Sequence, residues 1–74
     1  MFLSEGKVGE QYKVEKLSLM IEVQRRLEAL GMTSGAMISV LNNKGDGILI
    51  IKLRGTRFAL GHNITKNISV RRVA

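Results

Sequence analysis

Residues 48–60 read ILIIKLRGTRFAL, a pattern that predicts a β-hairpin at the centre of the fold. Two apolar runs flank residues 54–57, where the glycine at position 55 suits the first place of a two-residue type II′ turn. The predicted hairpin therefore has Gly55-Thr56 as its loop and sets Leu53 opposite Phe58. Because side chains alternate between the two faces of a strand, this register places several apolar residues on one face, which we expect to form the core. Its members are Leu49, Ile51, Leu53, Phe58 and Leu60.

The strand before this hairpin extends the same face. Residues 42–47 are all Asn, Lys, Gly or Asp, which is typical of a turn because Asn, Asp and Gly tolerate positive φ. A turn there sets Leu41 opposite Ile48 and Val40 opposite Leu49. The two turns thus predict one consistent apolar side of the sheet.

A helix is predicted ahead of these strands. Apolar residues at steps of three, four and three mark one face of it, at Met20, Val23, Leu27 and Leu30. Gly31 follows them and can adopt the left-handed conformation that ends a helix. Ser18 is the best candidate for the N-cap.

The two ends of the chain add two more strands. Alternation predicts one strand from about Gln11 to Leu17 and a last one around Ile68 and Val70, after a helical turn over 61–66. The order predicts a mainly β protein with one helix, which lies between the first and second strands. Five short strands cannot lie flat in so small a chain without exposing an apolar face, so we expect a small β-barrel. We expect the 74 residues to form a single domain, 1–74.

Charge and composition narrow the classes of function. Twelve Lys and Arg residues against six Asp and Glu give a net charge of +6, which favours acidic partners. The chain has no cysteine and only three aromatic residues, few for stacking nucleic-acid bases. No apolar run approaches the ~20 residues of a membrane span, and Glu5 and Lys7 interrupt the stretch where a signal peptide needs apolar residues. We therefore expect a soluble, cytoplasmic protein with no direct membrane insertion.

The stretch from the helix into the second strand resembles the FeoA family, the small cytosolic proteins of bacterial ferrous-iron uptake. The resemblance covers nearly the whole chain and is most specific at Arg26-Leu27, Leu30-Gly31-Met32, Gly35, Ile38 and Val40. Ser34 departs from it, since members usually carry proline there. The resemblance implies a small SH3-like β-barrel that binds and modulates FeoB, a membrane permease with a cytoplasmic GTP-binding domain. It implies no enzyme activity and no cofactor.

The residues themselves offer little for catalysis or for a metal. His62 and Asp46 are the only His and Asp, and both adjoin glycine in turn-like segments, so we expect no catalytic site. Ferrous iron needs several converging His or carboxylate ligands, so we predict no selective metal site in this chain. Whether a transition metal ion binds weakly stays open.

Four apolar residues that point away from the predicted core mark a candidate partner-binding surface. They are Met37, Leu41, Ile48 and Ile50, and two basic residues of the helix, Arg25 and Arg26, are added to them. Either the helix or the N-terminal segment covers this patch, or it binds a protein partner or a second copy of the chain. Two other functions stay open: a nucleic-acid-binding barrel, and a free-standing module like the C-terminal domain of iron-dependent repressors.

Overall fold

A curved antiparallel sheet carries the core on its inner face. The computed structural model describes residues 1–73. In chain order its elements are a 3₁₀ turn (Leu3–Glu5), β1 (Gln11–Leu17), α1 (Ile21–Ala29), β2 (Met37–Gly45), β3 (Ile48–Leu53), β4 (Thr56–Leu60), α2 (His62–Thr65) and β5 (Ile68–Arg72). None of these helices is both long and apolar enough to cross a membrane.

The strands form one five-stranded sheet in the order β4-β3-β2-β1-β5, with every neighbouring pair antiparallel. The expected closed barrel is wrong in this respect, because β4 and β5 are the two edges and no pairing joins them within residues 1–73. The near-equal dimensions of the molecule, 28 × 25 × 23 Å, still show how strongly the sheet bends around its core. Buried side chains from every strand meet there, including Val14, Ile38, Leu49, Leu60 and Val70.

The β3–β4 hairpin differs from the predicted one by its turn. Arg54 and Gly55 occupy the loop with φ of 52° and 81°, the signature of a type I′ turn, and Leu53 pairs with Thr56 instead of Phe58. The strands are thus shifted by two residues relative to the prediction. Because a shift of two keeps each side chain on its own face, the predicted core face is preserved.

The β2–β3 connection is also shorter than predicted. Strand β2 continues to Gly45 with two bulges, and only Asp46-Gly47 forms the turn, with φ of 54° and 76°. Val40 pairs with Ile51 and not with Leu49, again a shift of two residues. The first bulge falls between Val40 and Asn42, so Leu41 has no direct partner on β3.

Helix α1 buries less of its predicted face than the spacing suggests. Leu27 is buried and Val23 is partly buried, but Met20 and Leu30 are 74% and 47% exposed. Met20, and not Ser18, is the N-cap residue. At the other end Gly31 and Met32 donate backbone hydrogen bonds to Glu28 and Leu27, a Schellman motif that turns Met32 into the core in place of Leu30.

Candidate interaction surface

The charged side chains do not converge on a centre for chemistry. Three of the six carboxylates lie on α1 or in the β2–β3 turn, at Glu22, Glu28 and Asp46. Within residues 1–73 no three His, Cys, Asp or Glu side chains come close enough to hold a metal ion. His62 is exposed at the start of α2, against the backbone of Gly47. The exposed surfaces of the protein are therefore the next candidates for a functional site.

The outer face of β2, β3 and β4 carries exposed apolar side chains. Met37, Leu41 and Ile48 are 43%, 37% and 39% exposed, and Ile50 is half-buried among them. These are the four apolar residues that the sequence singles out. A shallow depression of about 400 Å³ crosses the three strands, and its lining consists of Leu41, Asn42, Lys44, Ile50 and Arg57.

The structure brings some of the predicted residues together and separates others. Leu41 and Ile50 line the same depression. Met37 lies at the far end of β2, opposite Lys13 of β1. Arg25 and Arg26 are exposed on α1, which reaches the inner core through Leu27, so they belong to a different part of the surface.

Neither segment that could have covered the outer face does so. Leu3 of the N-terminal segment is fully buried in the core, and Phe2 bridges Ser69 on β5, at the opposite edge of the sheet from β4. Helix α1 packs into the core through Leu27. The apolar side chains of β2 and β3 therefore remain accessible.

The same face is basic. Strands β2, β3 and β4 contain no carboxylate, whereas they contain three basic residues, Lys44, Lys52 and Arg57. Lys52 stands directly opposite Arg57 across β3 and β4. Like charges in that position repel, so the free protein carries an unfavourable interaction that an acidic partner would relieve. The sequence prediction missed Lys44 and Arg57, although the scarcity of acidic residues after Glu28 signals this asymmetry.

A second cleft of about 400 Å³ lies between the start of α1 and α2. Its apolar lining comes from Leu19, Met20, Val23 and Ile64, and its polar rim from Ser18, Asn63, Lys66 and Asn67. Met20 and Val23 belong to the apolar helix face that the sequence predicts. Val23 is partly buried against the core, whereas Met20 is exposed because the helix begins only at Ile21, which leaves Met20 at its open end.

Comparison with known proteins assigns the chain to a family. The sequence model of the FeoA domain matches residues 1–72. This chain belongs to the FeoA domain family. The FeoA protein of Chlorobium tepidum is 32% identical, with a TM-score of 0.93 over all of this chain and 71% of its own. A search among curated proteins finds no match.

Another member of the family supports the description of the fold. The FeoA protein of Stenotrophomonas maltophilia, solved in complex with zinc, is 29% identical, with a TM-score of 0.81 over 96% of this chain and 89% of its own. It is described as a prokaryotic SH3 domain protein and a possible ferrous iron transport activating factor. The five strands described above are thus SH3-like. A manganese-dependent transcriptional repressor shares the fold alone, at 17% identity and a TM-score of 0.85 over 99% of this chain and 41% of its own.

Proposed function

We propose that this FeoA protein is a non-enzymatic accessory factor that works in the cytoplasm, where it binds and modulates the FeoB ferrous-iron permease. Its membership of the FeoA family over residues 1–72 carries the proposal. The S. maltophilia relative, described as a possible activating factor of ferrous iron transport, supports the same role. The absence of clustered ligands within residues 1–73 is consistent with a role in which the permease handles the iron.

The outer face of β2–β4 is the docking surface that we assign to the permease. Apolar residues surrounded by basic ones suit a partner with an acidic, partly apolar surface, because burial of Leu41 and Ile50 supplies affinity and charge supplies orientation. Met37 and Ile48 extend this surface. Arg25 and Arg26 remain a separate predicted contact on α1.

Modulation requires that the protein distinguish two states of the permease. A ligand that binds both states equally shifts neither, however tightly it binds. A permease with a GTP-binding domain offers two such states, and we propose that this FeoA protein binds one of them better.

An affinity pull-down tests the proposal. The tagged protein is incubated with solubilised membranes and with cytoplasm from its native cell, with and without ribonuclease. Recovery of a GTP-binding membrane transporter that survives ribonuclease supports the proposal. Recovery of RNA without such a transporter contradicts it and favours nucleic-acid binding, which the burial of Tyr12 and the half-burial of Phe58 disfavour.

A further inference from the structure

The free edge of β4 differs from the other edge of the sheet. On β5, the backbone N–H of Val70 donates to the carbonyl of Met1 at 2.8 Å and Phe2 bridges Ser69, so the N-terminal segment covers part of that edge. Within residues 1–73, strand β4 pairs with β3 alone, in continuous register from Leu53–Thr56 to Leu49–Leu60. Of the devices that keep an edge from pairing, it has neither a proline nor a bulge, and it carries one charge, Arg57.

The hairpin geometry identifies the groups that this edge offers. In an antiparallel pair, residues alternate between hydrogen-bonded and non-hydrogen-bonded positions. The pair next to a two-residue turn, Leu53–Thr56, is hydrogen-bonded, so Arg57 and Ala59 are non-hydrogen-bonded toward β3. Their N–H and C=O groups therefore point away from the sheet, and no loop or side chain within residues 1–73 bonds them.

The positive charge at the edge of β4 determines which kind of strand can pair with it. Arg57 lies on the edge with Lys52 opposite it. A second copy of β4 would bring its own Arg57 into the same positive region, which disfavours pairing between copies. An extended segment with acidic residues on that face would instead neutralise the Lys52–Arg57 pair. Its alternate side chains would lie beside Phe58, which is half-buried against the core.

We propose that an extended acidic segment of a partner protein adds to β4 as a sixth strand, with its carboxylates on the outer face beside Arg57 and Lys52. Main-chain hydrogen bonds to Arg57 and Ala59 supply affinity, and the alternation of acidic and apolar residues supplies specificity. The inference rests on the proposed function, since the permease would provide the segment. To that function it adds how the permease binds, by strand addition, and what the bound segment contains, alternating acidic and apolar residues.

A model peptide tests this mode without the permease. The probe is a blocked peptide of about eight residues that alternates glutamate and valine, and its control alternates lysine and valine. Hydrogen exchange by NMR reports the amides of β4. We expect only the glutamate peptide to slow exchange at Arg57 and Ala59, while the Phe58 amide, already bonded to β3, changes little. Unchanged exchange at Arg57 and Ala59 at saturating peptide, or equal protection by the lysine peptide, would overturn the proposal.

Three variants separate strand addition from charge attraction. Ala59→Pro removes one outward N–H but none toward β3, so it should abolish peptide binding while the Phe58 amide stays protected. Arg57→Glu should weaken binding about tenfold. Arg71→Glu makes the same charge change on β5 and should alter the affinity for the peptide by less than about twofold. Equal weakening by both glutamate variants, or binding to phosphatidylglycerol vesicles with no protection of β4 by the peptide, would overturn strand addition.

The purified permease distinguishes the two proposals. Loss of its binding in Ala59→Pro supports strand addition. A permease that binds the wild type and Ala59→Pro equally overturns strand addition and leaves the proposed function standing. If the wild type does not bind the permease at all, the proposed function fails, and so does the assignment of the acidic segment to that partner.

Discussion

Gly31 and Arg54 connect the end of the helix to a turn of the sheet. Gly31 has φ of +105°, and a Cβ atom there would lie 3.0 Å from both Cδ and Nε of Arg54. The Arg54 side chain therefore lies over the C-terminus of α1, where a positive charge is favourable. The same arginine has a φ of 52° in the β3–β4 turn, a conformation that Gly, Asn and Asp adopt more readily.

The substitution Gly31→Ala should lower the free energy of unfolding by about 1–3 kcal/mol, because the backbone is strained for alanine and the new methyl displaces Arg54. Urea denaturation measures the change. Gly61→Ala is the matched control: Gly61 has φ of −75° and open space around it, so its stability should change by less than about 0.5 kcal/mol. Equal losses in the two variants would contradict the role of Gly31.

Thr65 is the one fully buried polar side chain among residues 1–73, and it fastens α2 to the β2–β3 turn. Its hydroxyl donates to the carbonyl of Gly47 at 3.1 Å. Thr65→Val keeps the shape of the side chain but leaves that carbonyl without its partner. The free energy of unfolding, measured by thermal unfolding, should fall by about 1–3 kcal/mol. The exposed Thr56→Val should cost less than about 0.5 kcal/mol. A Thr65→Val variant as stable as the wild type would show that water satisfies the carbonyl.

The two hairpins use the same type of turn with different residues. Asp46-Gly47 has the sequence that a type I′ turn prefers, whereas Arg54-Gly55 needs its long-range contact with the helix. Asp46→Val places a β-branched residue at positive φ and should destabilise the protein by about 1–2 kcal/mol in urea denaturation. Asp46→Asn preserves the turn chemistry and should leave stability nearly unchanged. Destabilisation by both variants alike would point to the carboxylate instead of the backbone.

These elements also show what a sequence can predict. The inward face of β3 and β4 follows from alternation alone, and it survives the error in the turn because the shift is two residues. The turn type does not follow, because Arg54 adopts positive φ next to a residue 23 positions earlier, Gly31. Likewise, periodicity marks Leu30 as buried, but the chain reversal at Gly31 gives that place to Met32.

The candidate surface could be predicted only in part. Leu41 and Ile50 follow from the alternation of the strands, since residues opposite the core face must point outward. Lys44 and Arg57 join them because β2 continues past its predicted end and the β4 register shifts, which places both beside the depression. The free edge of β4 could not be predicted, because the β-barrel expected from the sequence would leave no strand edge unpaired.

Because the whole protein carries a net charge of +6, its rate of association with an acidic partner should depend on salt concentration. The association rate should fall as the NaCl concentration rises, because the Debye length shortens from about 10 Å at 0.1 M to about 3 Å at 1 M and the charges attract each other less. Stopped-flow or surface-based kinetics with the purified permease measure this. An association rate that does not change with salt would show that the basic face lies outside the interface.

The most direct measurement is the affinity of this FeoA protein for the purified FeoB permease, by isothermal titration calorimetry, in the GTP-analogue and GDP states. We expect binding that differs between the two states and that Leu41→Asp weakens by about tenfold or more. Met20→Asp, at a site 74% exposed in the cleft between α1 and α2, should bind like the wild type, and circular dichroism should show both variants folded. Absence of wild-type binding in both states, or weakening by Met20→Asp and not by Leu41→Asp, would contradict this account.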